Sequence, residues 1–353
     1  MNAVEVKDKL SKGEPIENET IENQVVESLR SKRPIFHQVY FKNCIFKESD
    51  VQYSVFKKCV FENVLFESCQ INSMTMRSSK IRLLHFSKTV GSNSIFYSNE
   101  IDKLKIVDSD FSGSGLSEHD LQNCEFLNSN LTHSNFSHAK LKHTQFYQCI
   151  MPATVFTFAN LQHIIFIKSN LMACNFTNSM LQEVDVTDSN LFRCLFIKSK
   201  LKKIDFSMAN NIKQLNFYEA RITLLNFENH EMTPTVFHKV KAKRINFSSC
   251  NLFGSNFRQG RFVECQFDEA KLGHTVFTET EIKDSTFINA QLRLSKFNHS
   301  ILEHCDFTGA NVNSISLHNV NKKNIIWDVE DGDTAFGTDK ALLAAEEWTY
   351  NGE

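Results

Sequence analysis

The chain has 353 residues, 41% of them hydrophobic and 23% charged, with a formal net charge of −2. This is the balance of a soluble globular protein, and the length alone would allow two domains. No apolar run approaches the length of a membrane-spanning helix, which excludes that class of membrane protein.

Met1 to Gly13 is charged and lacks the apolar core of a signal peptide, so no Sec-type export is expected. Val4 to Lys12 reads as a short helix stopped by Gly13, and residues 1–15 as an N-terminal cap. Ile16, Ile21 and Val26 then begin a count in fives that is plain from Phe36: Phe41, Phe46, Val51, Phe56, Phe61, Phe66, Ile71, Met76, Ile81 and Phe86. Gly91 falls on the same count inside a stretch near 87–95 that reads as irregular, a small loop or a local bulge. From Leu121 to Phe206 every fifth residue is large and apolar, and nearly every tenth is Phe. One extra residue near 210–212 moves the count to Ile212, and it runs on through Phe217 and Phe227 to Val312 and Leu317, with Trp327 as a weaker last member. That shift reads as a bulge at one corner. Residues 16–327 thus form one continuous repeat domain. From 328 to 353 the chain leaves the period and turns acidic. Asp339 to Trp348 reads as a short helix anchored by Leu342, Leu343 and Trp348, and the whole segment as a C-terminal cap and tail, with binding to a partner as an alternative use.

A repeat this strict decides the fold. Five does not fit an α-helix, where successive positions would rotate by roughly 140° and smear around the barrel. Nor does it fit a flat strand, whose odd spacings send side chains to opposite faces. It fits a chain that turns a corner every five residues and always points the same position inward, which is a solenoid. Two places before the apolar position stands a small residue, as at Ser129, Ser134, Ala139, Thr144 and Cys149.

Units such as Ser-Asn-Leu-Thr-His (129–133), Ala-Asn-Leu-Gln-His (159–163) and Gly-Ala-Asn-Val (309–312) resemble the A-(D/N)-L-x-x units of the pentapeptide repeat family. The resemblance implies an all-β fold, a right-handed quadrilateral β-helix solenoid with four pentapeptides to a coil, and the ends of the repeat suggest short helical caps. With roughly 15 coils at about 4.8 Å each, such a rod would be near 70 Å long. About 28 of the 32 Phe fall on the count and would form ladders on two opposite faces.

The ten cysteines all stand two places before an apolar position, where they trade with Ser, Ala and Thr. There is no C-x-x-C and no zinc-type pairing with His, so the cysteines read as small buried groups in a reducing compartment. The 13 His are scattered at outward positions such as His133, His138, His143 and His163; His143 and His163 share a column, and a weak surface metal contact there competes with ordinary solvated imidazoles. No Walker A loop, G-x-S-x-G, G-x-G-x-x-G or H-E-x-x-H is present. The expectation is no enzyme, no cofactor and no metal.

Surface columns carry more information, because residues one coil apart stack. Counting across the insertion, Lys200, Arg221, Lys241 and Arg261 share a column, flanked by Lys202, Lys203, Lys243 and Arg244. Stacked like charges repel, so the column suggests an anionic partner, with a solubilising face as the plainer alternative. Leu127, Tyr147 and Ile167 form an outward apolar column, a candidate homodimer or partner patch. Some pentapeptide repeat proteins mimic DNA and protect DNA gyrase, which requires an acidic rod. Here residues 328–353 carry −7, leaving +5 on the rest, which argues against that mimicry. The leading expectation is a non-catalytic protein-binding scaffold in the bacterial cytoplasm, of the kind that serves secretion systems as accessory or effector, with export without a cleaved signal left open. A gyrase-binding mimic is the second, and nucleic-acid binding through the basic ladder the third; the absence of an aromatic stacking platform outside the core ranks it last.

Overall fold

The period of five becomes a square coil through two local devices. The residue two places after most core positions takes a left-handed backbone: Asn18, Asn23 and Ser28 have φ of 56°, 54° and 54°, and the pattern recurs as far as Asn324 at 51°, with Leu83, Lys103, Met208 and Pro234 as exceptions. The residue before the core position is commonly Asn or Asp, whose side-chain oxygen accepts the N–H two residues on. Asn130 does this for Thr132 (3.1 Å), Asp185 for Thr187 (2.9 Å) and Asn256 for Arg258 (3.0 Å). An Asx turn therefore leads the chain into each such corner, which is the physical reason for Asn or Asp at that place in the unit.

The computed structural model describes residues 1–328 and 335–348. The chain divides into two compact units, Met1–Cys194 and Leu195–Glu353, and both are parallel β-solenoids. In the first unit partners lie 20 residues apart, as in the chain of pairs Phe46 to Phe66, Phe66 to Phe86, Phe86 to Ile106, Ile106 to Phe126 and Phe126 to Phe146. Twenty residues per coil is four pentapeptides, and crossovers between parallel strands of one sheet are right-handed. The fold is a right-handed quadrilateral β-helix. In the second unit the offset is again 20 from Arg221 onward, but Lys200 pairs with Arg221 and Leu195 bridges Asn216, 21 apart. The extra residue lies between Phe206 and Ile212, which are both buried, so no core position is lost to it.

Inside each coil the core positions ten apart face one another. Rings stack along the axis, as Phe126 on Phe146 (4.7 Å between centroids) and Phe136 on Phe156 (5.3 Å), and meet edge to face across it, as Phe136 with Phe146 (5.6 Å, 90°). Both arrangements suit the aromatic quadrupole. The small position points inward and closes the coil. Ser134 donates to the carbonyl of Phe111 (3.0 Å), Thr154 to that of Leu131 (2.8 Å), and Cys149 to that of Phe126 through Sγ (3.1 Å).

Residues 87–95 depart from the expected loop or bulge. Val90 bridges both Gln70 and Asp110, and the N–H of Gly91 donates to the Asp110 carbonyl at 2.7 Å. The missing side chain is made good from the next coil: a Cβ on Gly91 would lie 2.8 Å from both Cε1 and Cζ of Phe111. Phe111 has swung into the space that Gly91 leaves.

Helix α1 (Ala3–Ser11) opens with a capping box, Asn2 accepting from Val4 and Glu5 while Glu5 accepts from the Asn2 N–H. It buries Val6 and Leu10 against the first coil. Helix α2 (Lys340–Glu347) buries nothing. Of the expected apolar anchors, Leu342 is 45% and Trp348 69% exposed while Leu343 is half-buried, so burial of these residues does not by itself hold it. A polar contact adds to it: the Glu346 carboxylate bridges His299 (3.3 Å) and His318 (3.1 Å), and the Asp339 N–H donates to Nδ1 of His318. Lys322 stands in the core column beside Leu302 and lays its ammonium 4.7 Å over the Trp327 ring. The remainder of the expected acidic tail, residues 329–334 and 349–353, lies outside the described residues.

Candidate partner-binding face

In the second unit the strands Lys200–Asp205, Arg221–Asn226 and Lys241–Asn246 run for six residues, while the next, Arg261–Val263, has three. Leu201, Ile222 and Ala242 point inward, as do Ile204, Leu225 and Ile245. The register sets Lys200, Arg221, Lys241 and Arg261 side by side, and Glu281 follows as the next member of that column. Lys202, Thr223, Lys243 and Val263 make the adjoining column. Lys203 and Arg244 sit at left-handed corners, φ 54° and 56°.

Elsewhere the solenoid often follows a simple rule, in which a cation meets an acid one coil away, although Lys271 and Lys296 have neutral neighbours. Lys42 pairs with Glu22 (2.9 Å), Lys47 with Glu27 (3.3 Å), Lys105 with Glu125 (2.9 Å), Arg258 with Glu279 (2.6 Å) and Lys323 with Glu303 (2.8 Å). Glu303, held by Lys323 and Lys283, has its carboxyl lowered to about 2. The flanks of the basic face obey the rule too. Lys243 and Arg244 both reach Glu264 (2.9 and 2.5 Å), and Arg261 reaches Glu281 (3.2 Å). Arg244 first and then Lys243 hold the Glu264 carboxyl below its usual range. Arg221 and Lys241 break the rule, each with a cation on both sides in the column, and Lys200 pairs with Arg221. The other stacked cations among those residues, Lys57 and Arg77, stop at two.

An open groove of about 760 Å³ runs beside this column. Arg221, Lys241, Lys243 and Arg261 line it together with Thr223, Val263 and the acids Glu279 and Glu281, and it reaches the backbone at Gly260. Four of the residues singled out by sequence thus share one surface depression. The counter-ions Glu264 and Glu281 were missed, though their spacing of 20 from Arg244 and Arg261 is readable in the sequence. The cluster of His299, His318 and Glu346 was missed because Glu346 lies outside the repeat and obeys no period.

The apolar column is narrower than expected. Leu127 pairs with Tyr147, and the Gln148 N–H bonds the Ile167 carbonyl, yet Leu127 and Ile167 are half-buried and only Tyr147, at 36%, is exposed. The rings of His143 and His163 do stack, 5.1 Å apart, and His163 also contacts Glu183 (3.0 Å). All ten cysteines are buried and unpaired with one another. Burial pushes the thiols of Cys124, Cys149 and Cys265 up to about 12, so they are inert as nucleophiles at neutral pH.

Residues 105–172 and 240–317 match the sequence profile described as a pentapeptide repeat region, and residues 154–191 match pentapeptide repeats in eight copies. No curated protein matches the sequence. Among solved structures the chain is similar to HetL, a pentapeptide repeat protein involved in heterocyst differentiation regulation from the cyanobacterium Nostoc sp. strain PCC 7120, at 15% identity over 64% of this chain and 90% of that one, with a TM-score of 0.29. It is similar to QnrB1, a plasmid-mediated fluoroquinolone resistance protein, at 13% identity over 50% of this chain and 84% of that one, TM-score 0.26. Rfr23, from the cyanobacterium Cyanothece 51142, shares 18% identity over 36% of this chain and 86% of its own, TM-score 0.21. The strict count of five, the coil of four units and the two profile matches agree: over residues 105–191 and 240–317 the chain carries the repeats of the pentapeptide repeat family.

Proposed function

We propose that the protein is a non-catalytic scaffold that binds an acidic protein surface through the basic face of its second unit. The observation that carries this reading is the run of Lys200, Arg221 and Lys241, in which cation stacks on cation and the column continues through Arg261 before it meets an acid at Glu281. Stacked like charges about 5 Å apart work against folding, so their retention is accounted for when a partner supplies the counter-charge. The same positive face speaks against an acidic mimic of DNA. A pull-down comparing the wild-type chain with Arg221→Glu/Lys241→Glu tests the reading. Proteins retained by the wild type and lost from the variant are expected; an unchanged set of retained proteins would remove the face from the function.

A further inference from the structure

The partner's shape can be read from the spacing of the charges, on the footing of the reading just given. We propose that the column takes one acidic face of an α-helix lying along the solenoid axis. Adjacent coils are about 4.8 Å apart, so the four cations from Lys200 to Arg261 span about 14 Å. A helix offers residues three or four apart on one face, at about 4.5 and 6.0 Å, or one carboxylate per turn of about 5.4 Å. Four such carboxylates span about 16 Å, and the long arms of Lys and Arg absorb the difference of about 2 Å.

An extended strand fits less well. Its same-face residues recur every 6.6 to 6.8 Å or so, which falls out of step with cations about 4.8 Å apart. Single-stranded nucleic acid calls for aromatic platforms beside the charges. The adjoining column here presents Lys202, Thr223, Lys243 and Val263 instead. Thr223 and Val263 flank Lys243 in that column, and Glu279 and Glu281 also line the groove. The stripe has a definite end, because Arg261 is already engaged by Glu281 at 3.2 Å and the column turns negative there.

The test is fluorescence anisotropy with a labelled helical peptide carrying one Glu per turn on a single face. The comparison is an isomer of identical composition whose Glu residues are spread around the helix. The expected result is binding of the striped peptide at least about tenfold tighter than the isomer, weakening with salt and lost in Arg221→Glu/Lys241→Glu. The control Lys57→Glu/Arg77→Glu, which changes as many charges in the other unit, is expected to bind as the wild type does. Equal binding of the two peptides, abolished by the first variant, would overturn the helical register while leaving the anion-binding face in place. Tighter binding of an oligothymidylate than of the striped peptide would replace the helix by a nucleic acid. No binding of any probe would overturn both the helix and the face that it rests on.

Discussion

Gly91 and Phe111 offer the sharpest test of how the core is filled. In Gly91→Ala the new Cβ would meet Cε1 and Cζ of Phe111 at 2.8 Å and Cγ1 of Ile71 at 3.2 Å. Ordinary carbon contacts lie near 3.5–4.0 Å, so the ring must give way by about 1 Å. Its retreat is restricted by Phe86, whose centroid is 4.9 Å away. Overpacking of this kind costs about 1–3 kcal/mol, partly offset by the roughly 0.4–1 kcal/mol gained when Ala replaces Gly in a compatible backbone. In a Phe111→Leu background the clash disappears, and Gly91→Ala is expected to be neutral or mildly stabilising. The two positions should therefore couple by about 1–3 kcal/mol in a double-mutant cycle. Urea unfolding of the four chains measures it, with equal m-values required because repeat arrays can lose cooperativity. Amide exchange across residues 71–111 supplies a local readout. Additive effects, or a neutral Gly91→Ala in the wild type, would refute the idea that Phe111 stands in for the absent side chain.

Arg221→Glu alone should stabilise the free chain, since it turns two repulsions in the column into two attractions. The gain is about 0.5–1 kcal/mol at low salt and fades as salt is added; a lowered Tm at low salt would contradict it. Cys149→Ser should change stability by less than about 1 kcal/mol, because Ser169 in the next coil already makes the equivalent bond, to the Phe146 carbonyl at 3.0 Å. In the native wild type none of the ten thiols should react readily with a disulfide reagent near pH 8, and a fast-labelling thiol would show that a coil opens. Glu346→Gln should speed amide exchange in Lys340–Glu347 several-fold with little effect on the solenoid. The contact with His318 holds this carboxyl below its usual range. Its contribution is therefore complete above the ordinary carboxylate value of about 4 and is lost as pH falls through the depressed one. Exchange that is unchanged by the substitution would show that α2 is held by something else.

The architecture was legible because its determinants recur. A core residue every fifth place, a small residue two before it and Asn or Asp one before it each act within a single corner, so a one-residue count recovers them. The column of Lys200, Arg221, Lys241 and Arg261 was legible for the same reason, once the extra residue near 210–212 was allowed for. What escaped were places where one coil compensates another. Gly91 read as a defect because its remedy lies 20 residues on, in the rotamer of Phe111. From the sequence α2 reads as anchored by Leu342, Leu343 and Trp348, whereas the bridge from Glu346 to two histidines uses groups that look solvated in a linear sequence.

In a solenoid of this kind, function is sought where the surface stops following the rule that the core imposes. Every outward position has a neighbour one coil away, so each charge is either answered or left over, and the register says which. Lys243, Arg244 and Arg261 are answered by Glu264 and Glu281. Lys200, Arg221 and Lys241 are not answered within their column, and they follow one another on the face whose strands are twice as long as the one that follows. The parallel register holds these cations in line, and a line of fixed spacing can distinguish one arrangement of carboxylates from another where a scattered positive patch cannot. Charge alone would then supply encounter rate, and spacing would supply selection. The peptide pair of equal composition separates these two contributions, because only spacing differs between its members.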